Sequence, residues 1–249
     1  MKPKKRLHLE RTKNRVFEDI LEYFKGVIRK GKLKSGDRLL SERELAAELG
    51  VSRASLREAF RALEMLGFLS INPGKGTYIL SPNTDSLSTF TELTMYLRPT
   101  LFENILEVRT IIECAAIRLA AKRSSQEELG YITSALDQME HISKGDGLAK
   151  RASEADFEFH KGIIRATHND FLVFLYGIIE VLLKRSHEER WDESLSVIPD
   201  AFNVIIDLHK AILEAILAGD EFLAEKRLRE HFGVLGRKNL ERVKERLDK

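Results

Sequence analysis

The chain is poor in residues that staple or interrupt a fold. One cysteine in 249 residues excludes an intrachain disulfide framework and fits a reducing cytoplasm. Cys114 stands in the apolar run "IIECAAIRLAA", where core filler is its expected role. Five prolines leave long stretches without a helix breaker, and Leu, Glu, Lys, Arg and Ala fill them, so helix is expected to dominate. No run approaches ~18 consecutive apolar residues, which excludes a membrane-spanning helix of that kind. The basic start "MKPKKRLHLERTKNR" is not followed by an apolar stretch, so no secretory signal is expected. H-E-x-x-H, a nucleophile elbow and a Gly-rich phosphate loop are also missing, which argues against an enzyme.

What remains is 43% hydrophobic and 32% charged, the profile of a soluble globular protein long enough for two domains. The net charge of +2 hides an asymmetry. Residues 1–80 carry 18 Lys and Arg against 10 Asp and Glu, whereas residues 81–249 carry 23 against 29. A basic first third on an acidic remainder points to a polyanion partner for the first domain.

Residues 12–30 place Val16, Ile20, Phe24 and Val27 with Ile28 at helical spacing. "GKLKSGDRLL" follows as a polar connector. Ser41 and Glu44 form a capping-box pattern for a short helix that Gly50 closes, and Ser52 can cap the next one. That third helix buries Leu56, Ala59 or Phe60, and Leu63, and stops at Gly67. The period then becomes that of strands: "FLSIN", a tight "PGKG", and "TYIL". Helices, turn and hairpin together predict a winged helix-turn-helix over residues 10–80.

Residues 81–90, "SPNTDSLSTF", read as a linker. Helical patterns then cover 86–97, 101–123, 125–143, 149–168, 171–189, 199–218 and 220–247. The fold class expected is therefore mainly α, with an antiparallel bundle of about seven helices over residues 91–249 behind the winged domain.

In a helix-turn-helix the N-terminal residues of the second helix meet base edges. Here these are Ser52, Arg53, Ala54, Ser55 and Arg57. Arg53 and Arg57 stand one turn apart, and arginine can bond O6 and N7 of guanine. The short Ser52 and Ser55 let the backbone approach. Arg43 would aim at the sugar-phosphate backbone or first base step, and Gly74, Lys75 and Gly76 suit a wing along the minor groove. The stretch "LLSERELAAELGVSRASLREAFRALEMLGFLSINPGKGTYIL" resembles the DNA-binding domain of the GntR family of bacterial transcription regulators. Leu40 stands where that family usually has proline, which removes a rigid helix entry but no contact residue. The resemblance implies Arg43, Arg53 and Arg57 as DNA contacts, with the wing around Gly74 and Lys75.

Further along, "EADFEFHKGI" puts Asp156 and His160 at i and i+4 on one helix face. His209 and His231 sit mid-helix among apolar neighbours, where an unpaired imidazole is costly to bury. One carboxylate and three imidazoles from three helices suit a borderline divalent ion, zinc first, with nickel, manganese or iron as alternatives. His8, His141, His168 and His187 read as structural or solvated. The segments "LFENILEVRTIIECAAIRLAA", "EADFEFHKGIIRATHNDFL" and "LHKAILEAILAGD" with "REHF" resemble the FadR-type C-terminal domain, FCD. Metal-binding members carry Asp and three His at the positions of Asp156, His160, His209 and His231. Arg109 resembles the family arginine that contacts a carboxylate ligand; its alternative is a buried ion pair with Glu113 one turn on. Asn169 matches a family asparagine at a helix junction, where N-capping is its expected job.

The resemblance thus implies a homodimeric regulator, expected to be a cytoplasmic repressor, that binds operator DNA and a small carboxylate effector held by the metal and Arg109. Two alternatives stand beside it: the ion itself as the signal, or an acyl ligand.

Overall fold

The computed structural model describes residues 13–81, 84–98, 104–142, 145, 147–198 and 200–234, which separate into two compact units, Met1–Leu87 and Ser88–Lys249. Among the described residues there are eleven helices and one two-stranded sheet.

The first unit opens with α1 (Lys13–Arg29). It buries Ile20 and Phe24, while Ile28 at its far end stays exposed. α2 (Glu42–Leu49) begins with the full capping box: Glu44 N donates to Ser41 Oγ at 3.3 Å and Ser41 N donates to Glu44 Oε2 at 3.0 Å. Gly50 ends it at φ 62°, a left-handed conformation that glycine adopts without steric penalty. Ser52 caps α3 (Arg53–Met65), accepting from Ser55 N at 3.0 Å. α3 buries Leu56, Ala59, Phe60 and Leu63 against α1, α2 and the sheet. β1 (Leu69–Asn72) and β2 (Gly76–Ile79) pair antiparallel, Leu69 opposite Ile79 and Asn72 opposite Gly76.

The stretch expected to be a plain connector is more than that. Gly36 N donates to Ile79 O at 2.8 Å, Ile79 N to Asp37 O at 2.9 Å and Leu39 N to Thr77 O at 2.8 Å. Arg38 bridges Tyr78 in antiparallel sense, so the segment lies as a third rail beside β2.

α4 (Asp85–Leu97) begins inside the expected linker, at the end of the first unit, and most of it belongs to the second. Asp85 in its first turn favours the positive end of the helix dipole, and Ser and Thr content alone does not prevent helix. The others are α5 (Ile105–Arg123), α6 (Gln126–Glu140), α7 (Leu148–Arg165), α8 (Asp170–Ile178), α9 (Glu180–Val197), α10 (Ala201–Leu217) and α11 (Glu221–Val234). The single helix expected over 171–189 is two: Ile179, at φ −101° and ψ 8°, breaks it, and α9 runs on to Val197. No proline marks that break, and apolar residues continue across it, so periodicity alone reads through. Asn169 caps α8, its Oδ1 accepting from Leu172 N at 3.1 Å. The expected helical residues 101–103 and 235–247 lie outside the described residues.

α7 is the centre of this unit, packed on α5, α6, α8 and α9. Consequently it is buried on most of its circumference, from Ala152 and Phe157 to Phe159, Ile163 and Ile164. Its tightest approach is to α6: a Cβ on Gly162 would stand 2.8 Å from Ile132 Cγ1 and 3.0 Å from Tyr131 Cδ1. Overpacking of this kind costs about 1–3 kcal/mol. Gly162→Val is therefore expected to lower unfolding free energy by about that amount, read from urea denaturation of the full chain.

Candidate nucleic-acid interface and metal centre

The winged unit presents a cleft between the α2 and α3 N-termini and the wing. Arg38, Ser41, Arg43, Arg53, Asn72, Gly74 and Gly76 line it. Of the residues expected to meet DNA, this cleft gathers Arg43, Arg53 and Gly74. Ser52 and Ser55 occupy each other at the start of α3, their hydroxyls 2.9 Å apart. Lys75 is exposed at the wing tip, where its carbonyl accepts from Tyr78 Oη at 3.2 Å. Arg57 instead is held by Glu42 of α2, Nη2 to Oε2 at 2.7 Å and Nε to Oε2 at 3.1 Å. That carboxylate, 15 residues away in sequence, raises the guanidinium's already high pKa by hydrogen bond and charge.

In the helical unit the four expected ligands come together. Asp156 and His160 project from α7, His209 from α10 and His231 from α11, all buried. One donor atom from each lies within 4.8 Å of the others. Donors at about 2.1 Å from a shared ion stand at most about 4.2 Å apart, so small side-chain adjustments close this set on a cation.

The proton inventory supports that fit. His209 Nδ1 stands 2.8 Å from the Ile205 carbonyl and can only donate to it, which leaves the lone pair on Nε2. That nitrogen faces Asp156 Oδ1 at 2.9 Å. Two acceptors this close require a positive charge between them, a proton or a metal ion. His160 Nε2 is 3.1 Å from Asp156 Oδ1 and its Nδ1 2.6 Å from Glu113 Oε2. Neither approach has hydrogen-bond geometry, so both ring nitrogens are buried without a hydrogen-bond partner, as is His231 Nδ1. Orphaned buried nitrogens around a carboxylate are what a cation site leaves behind. The cluster could hold a metal ion.

Burial disfavours the Asp156 carboxylate, but the imidazoles of His187 and His209 outweigh it and hold the group well below its ordinary range. His231 is pushed well below the usual imidazole value by burial and by His209 and His160. Both groups are thus in the deprotonated form that a ligand needs. For His160 burial works downward, yet Glu113 and Asp156 raise the pKa overall. A metal ion at His160 would therefore compete with a proton more than at His231.

Two participants escaped the sequence reading. His187, expected to be structural or solvated, is buried on α9 with Nδ1 3.0 Å from Asp156 Oδ2. Burial first, and then the Arg109 charge, push it down to about 4. Trp191, one turn on, donates Nε1–H to the same oxygen at 2.9 Å. Its spacing from His187 was the available signal, but the surrounding "KRSHEERWDE" looks like a solvated face. Arg109 makes the buried pair weighed as its alternative role, Nε to Glu113 Oε1 at 3.0 Å, with Tyr176 Oη donating to the same oxygen at 3.0 Å. Its Nη2 nevertheless stays buried without a hydrogen-bond partner, and the guanidinium lies 5.1 Å from the Phe232 ring centre.

Comparison with known proteins meets these two constellations. Residues 17–79 match bacterial regulatory proteins of the gntR family, and residues 104–234 match the FCD domain. The HTH-type transcriptional regulator LutR of Bacillus subtilis (strain 168) is 29% identical over 205 residues, covering 82% of this chain and 92% of LutR. The galactonate operon transcriptional repressor of Escherichia coli (strain K12) is 30% identical over 202 residues, 79% of this chain and 84% of the relative. A solved structure, Streptococcus agalactiae GntR, shares the fold with a TM-score of 0.63 at 21% identity, over 90% of this chain and 99% of that one. No described helix is long and apolar enough to cross a membrane. The chain therefore belongs to the GntR family of bacterial regulatory proteins, a DNA-binding transcription regulator with an FCD domain and not an enzyme.

Proposed function

We propose that the protein is a cytoplasmic, homodimeric repressor released from its operator by a small carboxylate bound in the helical unit. The observation that carries this reading is a cavity lined by Arg109, Asp156, His187, Arg190 and His231 together with Leu106, Trp191, Ile205 and Phe232. A half-committed guanidinium and two of the four candidate metal ligands, Asp156 and His231, line one small space, which suits a carboxylate. The galactonate operon repressor among the relatives carries the name of a hydroxy carboxylate, which supports the same class.

A divalent ion there, zinc by preference for three imidazoles and one carboxylate, would seat one ligand oxygen as a Lewis acid. Nickel, manganese and iron are the alternatives that metal analysis separates. Asp156, His160, His209 and His231 would hold the ion. Glu113 fixes one edge of Arg109, leaving Nη2 to bond the effector carboxylate. The cavity's free volume is ≈ 10 Å³, room for about one water. An effector must therefore part the side chains of α5, α7, α9, α10 and α11 to enter, and its binding energy becomes coupled to helix position. An apolar stripe on α4, Phe90, Leu93 and Leu97, with Ile111 of α5, is exposed and supplies a dimer face. Dimeric reading heads need half-sites at a set separation, so a change of packing at such a face alters operator affinity.

On DNA, Arg53 is assigned to base edges with Arg57, Ser52 and Ser55 beside it, and Arg43, Gly74 and Lys75 to the flanking backbone. Arg53→Ala should abolish operator-specific binding while thermal unfolding stays unchanged; wild-type operator affinity in that variant refutes the assignment. Protein purified without chelator should contain about one transition-metal ion per chain, absent from His209→Ala, by elemental analysis. A wild type that neither carries metal nor takes up zinc or nickel overturns the metal centre. Glu113→Gln, which withdraws the charge beside His160 Nδ1, should weaken metal binding about 10–100-fold in chelator competition. Titrated small carboxylates should lower operator affinity of the metal-loaded protein, and operator affinity that responds to metal alone makes the ion the effector instead.

A further inference from the structure

We propose that Arg38 is a further DNA-binding residue, gripping a backbone phosphate beside the wing, and that the missing side chain of Gly76 makes room for its guanidinium. The inference deepens the DNA-binding reading of the cleft and rests on it.

The sequence places Arg38 in a polar connector with nothing to distinguish it. The fold turns that connector into a rail along β2, with Arg38 opposite Tyr78. Leu39 is buried, and alternate residues of an extended segment face opposite ways, so Arg38 lies on the outer face. Gly76, two residues before Tyr78, is its diagonal neighbour on that face, within reach of a long side chain. The contact is close: a Cβ on Gly76 would stand 2.6 Å from Arg38 Nε, 3.1 Å from Nη2 and 3.3 Å from Cζ. Gly76 also has φ +110°, which L side chains rarely adopt. The guanidinium therefore rests on bare backbone at the root of the wing.

Charge completes the argument. Arg38, Arg43 and Arg53 line one cleft. The carboxylates near them are committed elsewhere. Glu42 holds Arg57, Glu44 accepts from Ser41 N, and Asp37 Oδ2 accepts from Lys34 N at 2.7 Å. Arg38 is exposed and forms no ion pair among the described residues. Glu42 and Glu44 line the same cleft without pairing Arg38, so a guanidinium lying against backbone with no carboxylate on it is free for the bidentate phosphate contact that arginine makes. Arg57, by contrast, must first exchange Glu42.

The test uses the full chain and two duplexes: an operator recovered by the wild-type protein from a random pool, and a scrambled duplex of equal length. Arg38→Ala should bind both about tenfold more weakly, and the slope of log affinity against log salt should fall by about 1. Arg38→Lys should restore the slope. Because alanine also strains a backbone at φ +110°, Gly76→Ala should weaken binding in both backgrounds, but clearly less where Arg38 is already alanine. Wild-type affinity and slope for Arg38→Ala overturn the proposal. A loss confined to the operator with an unchanged slope makes the contact a base contact and overturns the phosphate assignment. An equal loss from Gly76→Ala in the wild-type and Arg38→Ala backgrounds refutes the role given to the glycine. Arg53→Ala run alongside separates the two readings: unchanged preference for operator over scrambled duplex would fail the reading of α3, whatever Arg38 does.

Discussion

A carboxylate inside an apolar helical bundle has to be neutralised from within, and Asp156 is such a carboxylate. Trp191 and His187 of α9 meet one of its oxygens, while His209 of α10 and His160 of its own helix meet the other. Each partner is itself buried, so each needs support in turn: Ile205 O for His209, Glu113 for His160, Arg109 and Tyr176 for Glu113. Buried charge is expensive when unpaired, and here the close approaches only partly satisfy it: both ring nitrogens of His160 and of His187 keep no hydrogen-bond partner. The chain of obligations therefore ties α5, α7, α8, α9 and α10 to one register. Apolar packing by Phe159 and Phe232 surrounds it, but those residues could be exchanged for others of similar volume.

That constraint also explains how far the sequence could be read. Asp156 and His160 announce themselves by an i, i+4 spacing within one helix, and His209 and His231 by their apolar neighbours. These are local signals, and family likeness joined them. The one local signal of His187, its i, i+4 spacing from Trp191, is masked by charged flanks, and its burial is decided by how α9 lies against α7. The same holds in the winged unit. Caps at Ser41 and Ser52 and the turn glycines are local chemistry, readable from spacing. The pairing of Arg57 with Glu42 and the rail of residues 36–39 beside β2 arise only when distant segments meet. Helix ends follow the same division: Gly50 and Gly219, both left-handed, mark theirs, whereas Ile179 breaks a run that contains no proline.

Charge does different physical work in the two units. Around Asp156 water is excluded, interactions are strong, and protonation states are set by neighbours rather than by solvent. A ligand that enters such a place must replace contacts already present, so recognition and rearrangement are one event. In the cleft of the winged unit the charges face water and salt. There each contact is weak and screened, and affinity accumulates over many of them. The proposed effector-released regulator would use both regimes: a dry site that discriminates a small molecule, and a wet surface that lets go of DNA when geometry changes modestly.

The Arg57–Glu42 pair belongs to the wet regime, and that decides how it should be understood. An ion pair with half its guanidinium in solvent contributes little to stability, so it is poorly explained as a device for holding α2 to α3. Leu45, Ala46, Leu56 and Phe60 already do that by burial. Its consequence lies in availability: a guanidinium on a carboxylate is oriented and partly neutralised, and approaches the duplex with less attraction than a bare one. Arg38 and Arg53 carry no such tether among the described residues. On the proposed DNA-binding reading, early attraction to the phosphates would fall to them and to Arg43, with Arg57 joining once Glu42 is displaced. On that reading a non-cognate sequence that offers Arg57 no good acceptor would leave it on Glu42, and the carboxylate would sharpen discrimination by supplying the alternative against which each base step is judged.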